Sequence, residues 1–214
     1  MAVLDGCGGM LISKTVTRSS RLSTSDSMTS PVQSEAGTVF LRALDLGDLD
    51  RTLKWHNDPN LYATLISSFR YVSRQTEEEW LRRVMTSSSR EVNLAVCVTE
   101  SGAHVGNVYL RDIDWVSKNA ALGLFIGESE HRGKGYGTSA LRQMITHAFN
   151  NLGLSRIYLN ALAENEPAIR SYQRVGFIIE GKLRSHAFKQ GRFRDVVILG
   201  LQADEFTRAT EART

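Results

Sequence analysis

The chain has 214 residues, 42% of them hydrophobic and 23% charged, with a formal net charge of +3 at pH 7. These values are ordinary for a soluble globular protein, and the small charge, spread along the chain, predicts neither a nucleic-acid nor an anionic membrane partner. No apolar run is long enough to span a bilayer. Two cysteines, Cys7 and Cys97, and five histidines without ligand spacing form neither a disulfide framework nor a metal site. We therefore expect a cytoplasmic protein that holds no metal.

Residues 1–37 differ in composition from the rest of the chain. They are rich in Ser, Thr and Gly and have almost no periodic apolar pattern, which is typical of a segment without a packed core. They also lack the apolar centre of a secretory signal. We expect a flexible leader, either a tag or an extension, followed by a single domain at 38–214.

The first half of the predicted domain combines apolar strand patterns with two helical patterns. The expected elements are a strand at 38–44, a helix from about Asp45 to Asp58-Pro59, a helix from about Thr76 to Met85, and strands at 92–99, 105–113 and 120–127. The second helix begins with Thr76-Glu77-Glu78-Glu79, which resembles a capping box. Cys97 lies within an apolar strand and is expected to be a small buried core residue.

A glycine-rich loop follows the last of these strands: Arg132-Gly133-Lys134-Gly135-Tyr136-Gly137-Thr138. It opens a helix whose apolar residues recur on one face up to Leu152, with Gly153 as its C-cap. The free N–H groups and the positive dipole end of such a helix favour an anion, most often a phosphate. The spacing matches neither a P-loop nor the dinucleotide motif G-x-G-x-x-G. Two interpretations of the loop remain. It is either the motif Arg-x-x-Gly-x-Gly, formed by Arg132, Gly135 and Gly137, or an ordinary tight turn between a strand and a helix.

Two further motifs lie downstream of the loop. After a strand at 156–162, the segment from Asn165 to Phe177 predicts a short helix that Asn165 caps and Gly176 ends. A hairpin then carries Glu-Gly-x-Leu-Arg at 180–184 and Gly-x-Phe-x-Asp at 191–195. Taken alone, Asn165 is explained as a simple cap, and Tyr172 within the helix as a packed aromatic residue.

In this order and spacing, the three motifs resemble the GNAT superfamily of N-acetyltransferases, and the hairpin resembles its RimJ/RimL branch. The resemblance covers about Thr38 to Phe206. It implies an α/β fold with a mixed, mostly antiparallel twisted sheet whose central strands splay apart, flanked by helices. It also implies acetyl-CoA as the cosubstrate and acetyl transfer to a primary amine by direct attack in a ternary complex. A homodimer through the C-terminal strands is expected at the level of the family.

The resemblance assigns a role to residues of the loop, the preceding strand and the Asn165 helix. The pyrophosphate of the cosubstrate would bind the loop residues Arg132, Gly133, Lys134, Gly135, Tyr136, Gly137 and Thr138, mainly through main-chain N–H groups. Pantetheine would lie along Phe125, Ile126 and Gly127 and contact the Asn165 side chain. Tyr172 is the candidate general acid for the departing thiolate, because a tyrosine with a pKa of about 10 donates rather than abstracts a proton at neutral pH.

The sequence does not identify a general base. Ala121 and Asn160 stand where relatives often carry a glutamate, and neither accepts a proton usefully. Asp112, Asp114 and His186 are the remaining candidates, each acting through water.

The acceptor pocket is expected from residues 55–80, where Trp55-His56-Asn57-Asp58-Pro59 resembles a turn frequent in the RimJ/RimL branch. Glu77, Glu78 and Glu79 suit a polyamine, whereas Arg70 and Arg74 suit a phosphorylated sugar. Three functions therefore stay open. They are an N-acetyltransferase of a small-molecule amine (a polyamine, amino sugar or aminoglycoside), a ribosomal-protein-type N-terminal acetyltransferase, and a non-catalytic acyl-CoA-binding sensor.

Overall fold

The computed structural model describes residues 38–86 and 89–211, with side chains up to Arg208; the expected leader, 1–37, lies outside them. The strands are β1 Val39–Ala43, β2 Val92–Val98, β3 His104–Asp114, β4 Asn119–Ile126, β5 Arg156–Leu162, β6 Ile178–Lys189 and β7 Arg192–Gln202. The helices are α1 Leu49–His56, α2 Pro59–Thr64, α3 Arg74–Met85, α4 Tyr136–Thr146, α5 Glu166–Val175 and α6 Ala203–Glu211. No described helix combines the length and the apolar content that crossing a membrane requires.

The strands form one mixed sheet in the order β1-β2-β3-β4-β5-β7-β6. All neighbouring pairs are antiparallel except β4 and β5, which are parallel. This parallel pairing joins only Asn119–Ala121 to Arg156–Tyr158, so the two strands separate beyond those residues. The separation confirms the expected sheet with splayed central strands and opens a cleft near its middle.

Helices cover both faces of the sheet. Along β2, successive side chains belong alternately to two different hydrophobic cores, one on each face. Val96 and Val98 belong to the main core, which includes the buried side chains of α4. Ala95 and Cys97 instead pack with Leu81 of α3 in a second core. Successive strand residues point to opposite faces, so a strand covered on both sides is apolar throughout. Cys97 is fully buried, which confirms it as a small core residue.

The structure corrects three details of the helix predictions. Helix α3 begins at Arg74 rather than Thr76, because the Ser73 hydroxyl accepts the Thr76 N–H and caps the helix there. Asp58-Pro59 ends the preceding helix, as predicted, but it also begins α2. Asp58 is the N-cap of α2, and the proline lies in the first helical turn, a position that proline favours. The sequence analysis did not predict the C-terminal helix α6.

A buried ion pair anchors the start of α1 to the sheet. Asp48 is 5% exposed, accepts hydrogen bonds of 2.7 and 2.8 Å from the Arg42 guanidinium, and lies 2.9 Å from Nδ1 of His104. Burial alone would raise the pKa of this carboxyl. The hydrogen bonds from Arg42 and from the Asp45 N–H outweigh burial and lower the pKa of Asp48 to about 2.

We expect Asp48→Asn to lower the free energy of unfolding at pH 7 by about 2 kcal/mol, the equivalent of this pKa difference from an ordinary aspartate. The Asp48 contribution is present above about pH 4 and is lost as the pH falls toward 2, so wild type and variant should converge there. Urea unfolding at pH 7 and pH 3 measures the effect. The control is Asp50→Asn, which removes an exposed partner of Arg74 and should change stability by less than about 0.5 kcal/mol. Equal losses for the two variants would contradict the prediction.

Candidate active site

The glycine-rich loop between β4 and α4 has the conformation that an anion site requires. Gly133 (φ +75°) and Gly135 (φ +85°) are left-handed, a region that residues with a Cβ rarely adopt. Gly135 is the N-cap of α4 and no side chain caps this helix, so its first-turn N–H groups have no side-chain acceptor. The loop therefore presents free donors and the positive dipole end of a helix.

The Arg132 side chain fastens this loop to the end of β4. Its guanidinium donates hydrogen bonds to the carbonyl oxygens of Ile126, at 3.0 Å, and Gly127, at 2.9 Å. The charge of Arg132 lies beside the loop, as the sequence predicts. Some of the guanidinium N–H groups, however, already donate to these two carbonyl oxygens. The loop and the open end of β4 are thereby held in one fixed arrangement.

The separation of β4 and β5 opens a cleft of about 570 Å³. It lies between the two strands, the glycine-rich loop and α5. Eight of the predicted cofactor residues line it: Phe125, Ile126, Arg132, Gly133, Gly135, Gly137, Thr138 and Asn165. The other three, Gly127, Lys134 and Tyr136, are not among its lining residues. Tyr136 packs against the main core, and a Cβ at Gly127 would lie 2.2 Å from the Trp55 indole.

Tyr172 and Asn165, at opposite ends of α5, both line this cleft. Burial raises the pKa of Tyr172 to about 12, so its hydroxyl stays protonated at neutral pH. Asn165 accepts the Ala168 N–H at 3.3 Å and donates to the Thr64 carbonyl at 3.1 Å. Its amide therefore caps α5 and also ties that helix to the end of α2.

A second, smaller cavity of about 110 Å³ adjoins the cleft. Leu65, Ser67, Tyr109 and Phe125 line both spaces, which therefore meet beside these residues. The other lining residues of the cavity are Leu44, His56, Tyr62, Trp80, Asn93, Asn107 and Arg111. Five of the eleven lie within 55–80, the segment expected to form the acceptor pocket.

The three glutamates of α3 do not form the acidic patch that would suit a polyamine. Glu78 accepts hydrogen bonds from Arg82, and Glu79 accepts one from Gln75, both at the surface. Glu77 is instead 1% exposed, with its carboxylate 2.6 Å from Nδ1 of His56. The cavity lining has no carboxylate, and Arg111 is its one permanently charged residue.

None of the three candidate bases from the sequence lines the cleft or the cavity. Asp114 accepts three hydrogen bonds from Val116 and Ser117 in the β3–β4 turn, and those from Ser117 contribute most to lowering its pKa. Asp112 and His186 are exposed. Among the described residues, no cluster of three or more His, Cys, Asp or Glu side chains is arranged to bind a metal.

The sequence analysis did not identify His56 as a functional residue. It ends α1 and lines the cavity, yet its carboxylate partner lies 21 residues further along the chain. No local spacing rule joins the two residues, so the only sequence signal was the position of His56 in the Trp55–Pro59 turn.

Residues 38–178 match the family described as acetyltransferase (GNAT) domain. The chain is 27% identical over 175 residues to the spermidine N(1)-acetyltransferase of Vibrio cholerae serotype O1, a match that covers 81% of this chain and 98% of that protein. It is 32% identical over 128 residues to a putative ribosomal N-acetyltransferase of Bacillus subtilis (strain 168), covering 60% and 67% of the two chains.

A crystal structure of spermidine N-acetyltransferase from Vibrio cholerae in complex with CoA and spermine has the same fold, with a TM-score of 0.74 at 27% identity. The similarity covers 79% of this chain and 98% of that chain. The range matched by the family includes β4, the glycine-rich loop, β5 and α5, which together build the cleft. The chain therefore belongs to the GNAT acetyltransferase family and is an N-acetyltransferase that uses acetyl-CoA.

Proposed function

We propose that the protein acetylates the primary amine of a small molecule by direct attack in a ternary complex. One observation carries the proposal: the long cleft and the small cavity are separate spaces that meet beside Phe125. A long cosubstrate and a compact acceptor would approach each other at that point. In a cavity of about 110 Å³ the acceptor would insert a compact group that carries the amine.

The glycine-rich loop would hold the pyrophosphate of acetyl-CoA through the uncapped N–H groups of α4, with support from the Thr138 hydroxyl and the Arg132 charge. Pantetheine would lie along Phe125–Gly127, where β4 has no pairing with β5. Asn165 lines the same cleft and would contact pantetheine there. When bound, acetyl-CoA supplies the activated acetyl group.

Tyr172 would act as the general acid, giving its hydroxyl proton to the sulfur of the departing thiolate. Its raised pKa keeps the hydroxyl protonated at neutral pH. Because a thiolate is less basic than a tyrosinate, the transfer to sulfur depends on the Tyr172 oxygen regaining a proton as it gives one up. The proton that Tyr172 loses is replaced from the amine nitrogen, which must lose one as the amide forms. Main-chain N–H groups at the open end of β4 would stabilise the oxyanion that develops during attack.

Two observations favour different acceptors within the class of small amines. The similarity to spermidine N-acetyltransferases favours a polyamine. The cavity lining, with Arg111 and no carboxylate, favours an amine that also carries a negative group, such as a phosphorylated amino sugar.

A panel of amines tests the proposal through release of thiol from acetyl-CoA. It contains spermidine, spermine, kanamycin, glucosamine 6-phosphate, and peptides that begin with Ala or Ser. We expect turnover with at least one small amine and a kcat/KM at least about 100 times that of any peptide, since each factor of ten reflects about 1.4 kcal/mol of transition-state binding. Faster turnover of a peptide would favour the N-terminal acetyltransferase. Binding of acetyl-CoA without any turnover would favour the sensor.

We further propose that the protein is a homodimer and that it is cytoplasmic. β6 forms one edge of the sheet and exposes Ile178, Ile179 and Phe188, which is consistent with a partner at the C-terminal strands. A sheet edge with exposed apolar side chains favours association with another chain.

A further inference from the structure

His56 and Glu77 form a pair whose geometry resembles the histidine–carboxylate half of a catalytic triad. Nδ1 of His56 lies 2.6 Å from Oε2 of Glu77, a hydrogen bond that Nδ1 donates when the carboxylate is the acceptor. Glu77 is 1% exposed, whereas the His56 side chain is 17% exposed. The pair therefore has a buried carboxylate behind an imidazole that reaches the cavity.

The imidazole is held by more than this hydrogen bond. The rings of Trp80, Tyr62 and Phe125 surround it, with centroids 5.1, 6.4 and 6.4 Å away. Phe125 belongs to the part of β4 that faces both the cavity and the cleft. His56 therefore lies next to the point where an acceptor amine would meet the thioester, with Nε2 as the ring nitrogen that Glu77 leaves unused.

We propose that His56 is the general base of the acetyl transfer and that Glu77 is its positioning residue; this inference rests on the proposed function. Nε2 takes a proton from the acceptor ammonium, directly or through one water molecule. The neutral nitrogen then forms the C–N bond, the C–S bond breaks, and Tyr172 passes its proton to sulfur and regains one from the amide nitrogen. His56 releases its proton to solvent, so the reaction yields amide, thiol and one proton.

The carboxylate of Glu77 serves two steps of this sequence. By accepting from Nδ1, it fixes the tautomer that leaves Nε2 unprotonated, the form that a base requires. When Nε2 gains a proton, the imidazolium faces a negative charge 2.6 Å away. The other carboxylate oxygen, Oε1, is buried and has no hydrogen-bond partner among the described residues, so His56 is the one described side chain that this carboxylate hydrogen-bonds.

The pH dependence of this base also reflects the other titratable and charged groups around the cavity. These are Tyr62 on α2 and Tyr109 and Arg111 on β3, in addition to Glu77 on α3. Burial raises the pKa of both tyrosines, so they stay neutral around pH 7. Arg111 lies over the Tyr109 ring, 4.1 Å from its centroid, and remains a cation.

The first test is His56→Gln with the amine of highest turnover in the panel. At pH 7 we expect kcat/KM to fall by about 100-fold, the lower end of the usual range for a general base. The loss should shrink above pH 9, where a primary amine with a pKa of about 10 increasingly loses its proton to water. Affinity for CoA, measured by titration calorimetry, should stay within about twofold of wild type, since His56 lies outside the cleft. His147→Gln, which removes a histidine away from both spaces, is the matched control.

Two further variants separate a base from a structural residue. Added imidazole should restore part of the activity of His56→Ala, and nitrogen NMR should detect a mixture of His56 tautomers in Glu77→Gln in place of one. A loss in His56→Gln that is constant with pH, together with no rescue of His56→Ala by imidazole, overturns the base, as does activity of His56→Gln within threefold of wild type. Wild-type protein that binds CoA but acetylates no amine overturns the proposed function itself, and the base with it.

Discussion

Gly135→Glu is expected to weaken CoA binding by at least about 100-fold, the largest effect on cofactor affinity among the variants considered. Gly135 is the N-cap of α4 at φ +85°, and a residue with a Cβ is strained there by about 1–2 kcal/mol. The new carboxylate also accepts hydrogen bonds from the helix N–H groups and so competes with the pyrophosphate for the same donors. Strain and competition act together, and titration calorimetry with CoA measures their sum.

Two other glycine variants separate these causes. Gly135→Ala introduces the strain without the charge and should cost about tenfold or less in affinity. Gly102→Glu introduces the same side chain at φ +68° in the β2–β3 turn, with open space around it, and should leave CoA affinity unchanged. S-acetylpantetheine, which lacks the pyrophosphate, should serve wild type and Gly135→Glu equally well as an acetyl donor. Affinity of Gly135→Glu for CoA within threefold of wild type would remove the loop from cofactor binding.

The parts of this site whose structure depends on residues close together along the chain could be predicted from the sequence. The strand at 156–162, the glycine-rich loop and the cap at Asn165 agree with the structure because local backbone preferences decide them. Gly176, with a positive φ angle, is the C-cap of α5 where the helix end was predicted. Helix α4 instead ends at Thr146 and continues as a π-helix over His147–Asn151, whose C-cap is Leu152, so Gly153 with its positive φ follows the cap rather than forming it. Glycines at such helix ends act through backbone geometry, which the sequence encodes directly.

The acceptor side could not be predicted because it depends on contacts between distant segments. Glu77 lies in a run of three glutamates that, by sequence, are equivalent residues at a helix N-terminus. The actual cap is Ser73, which shifts the start of α3 and turns Glu77 alone toward the core. Only the packing of α3 against α1 then brings its carboxylate to His56. The missing glutamates at positions 121 and 160 pointed to a water relay, whereas the base proposed above, His56, belongs to a different element.

The proposed acid and base come from separate parts of the fold. His56 belongs to α1 and lines the small cavity, while Tyr172 belongs to α5 and lines the cleft. A base beside the acceptor and an acid beside the thioester agree with the direction in which the protons must move. Removing His56 and removing Tyr172 are therefore expected to change the kinetics, and their dependence on pH, in different ways.

Tyr172→Phe is expected to lower kcat by about 100- to 1000-fold, while the affinity for CoA stays within about twofold of wild type. Phenylalanine keeps the ring that packs edge-on against Phe177, at 6.0 Å between centroids, so the variant loses only the hydroxyl. The hydroxyl acts on a charge that exists only as the thiolate departs, and its removal should lower kcat and kcat/KM equally. Tyr71→Phe, at a tyrosine that is 86% exposed, is the matched control and should leave both constants unchanged.

The pH profile distinguishes this acid from the base. Because the pKa of Tyr172 is about 12, its hydroxyl is protonated from pH 6 to pH 10, and the loss in Tyr172→Phe should be nearly constant over that range. The loss in His56→Gln should instead shrink as the amine becomes neutral in solution. Steady-state kinetics of both variants from pH 6 to pH 10 measure this contrast. An unchanged kcat in Tyr172→Phe would remove Tyr172 from the mechanism, and thiolate protonation would then have to come from water in the cleft.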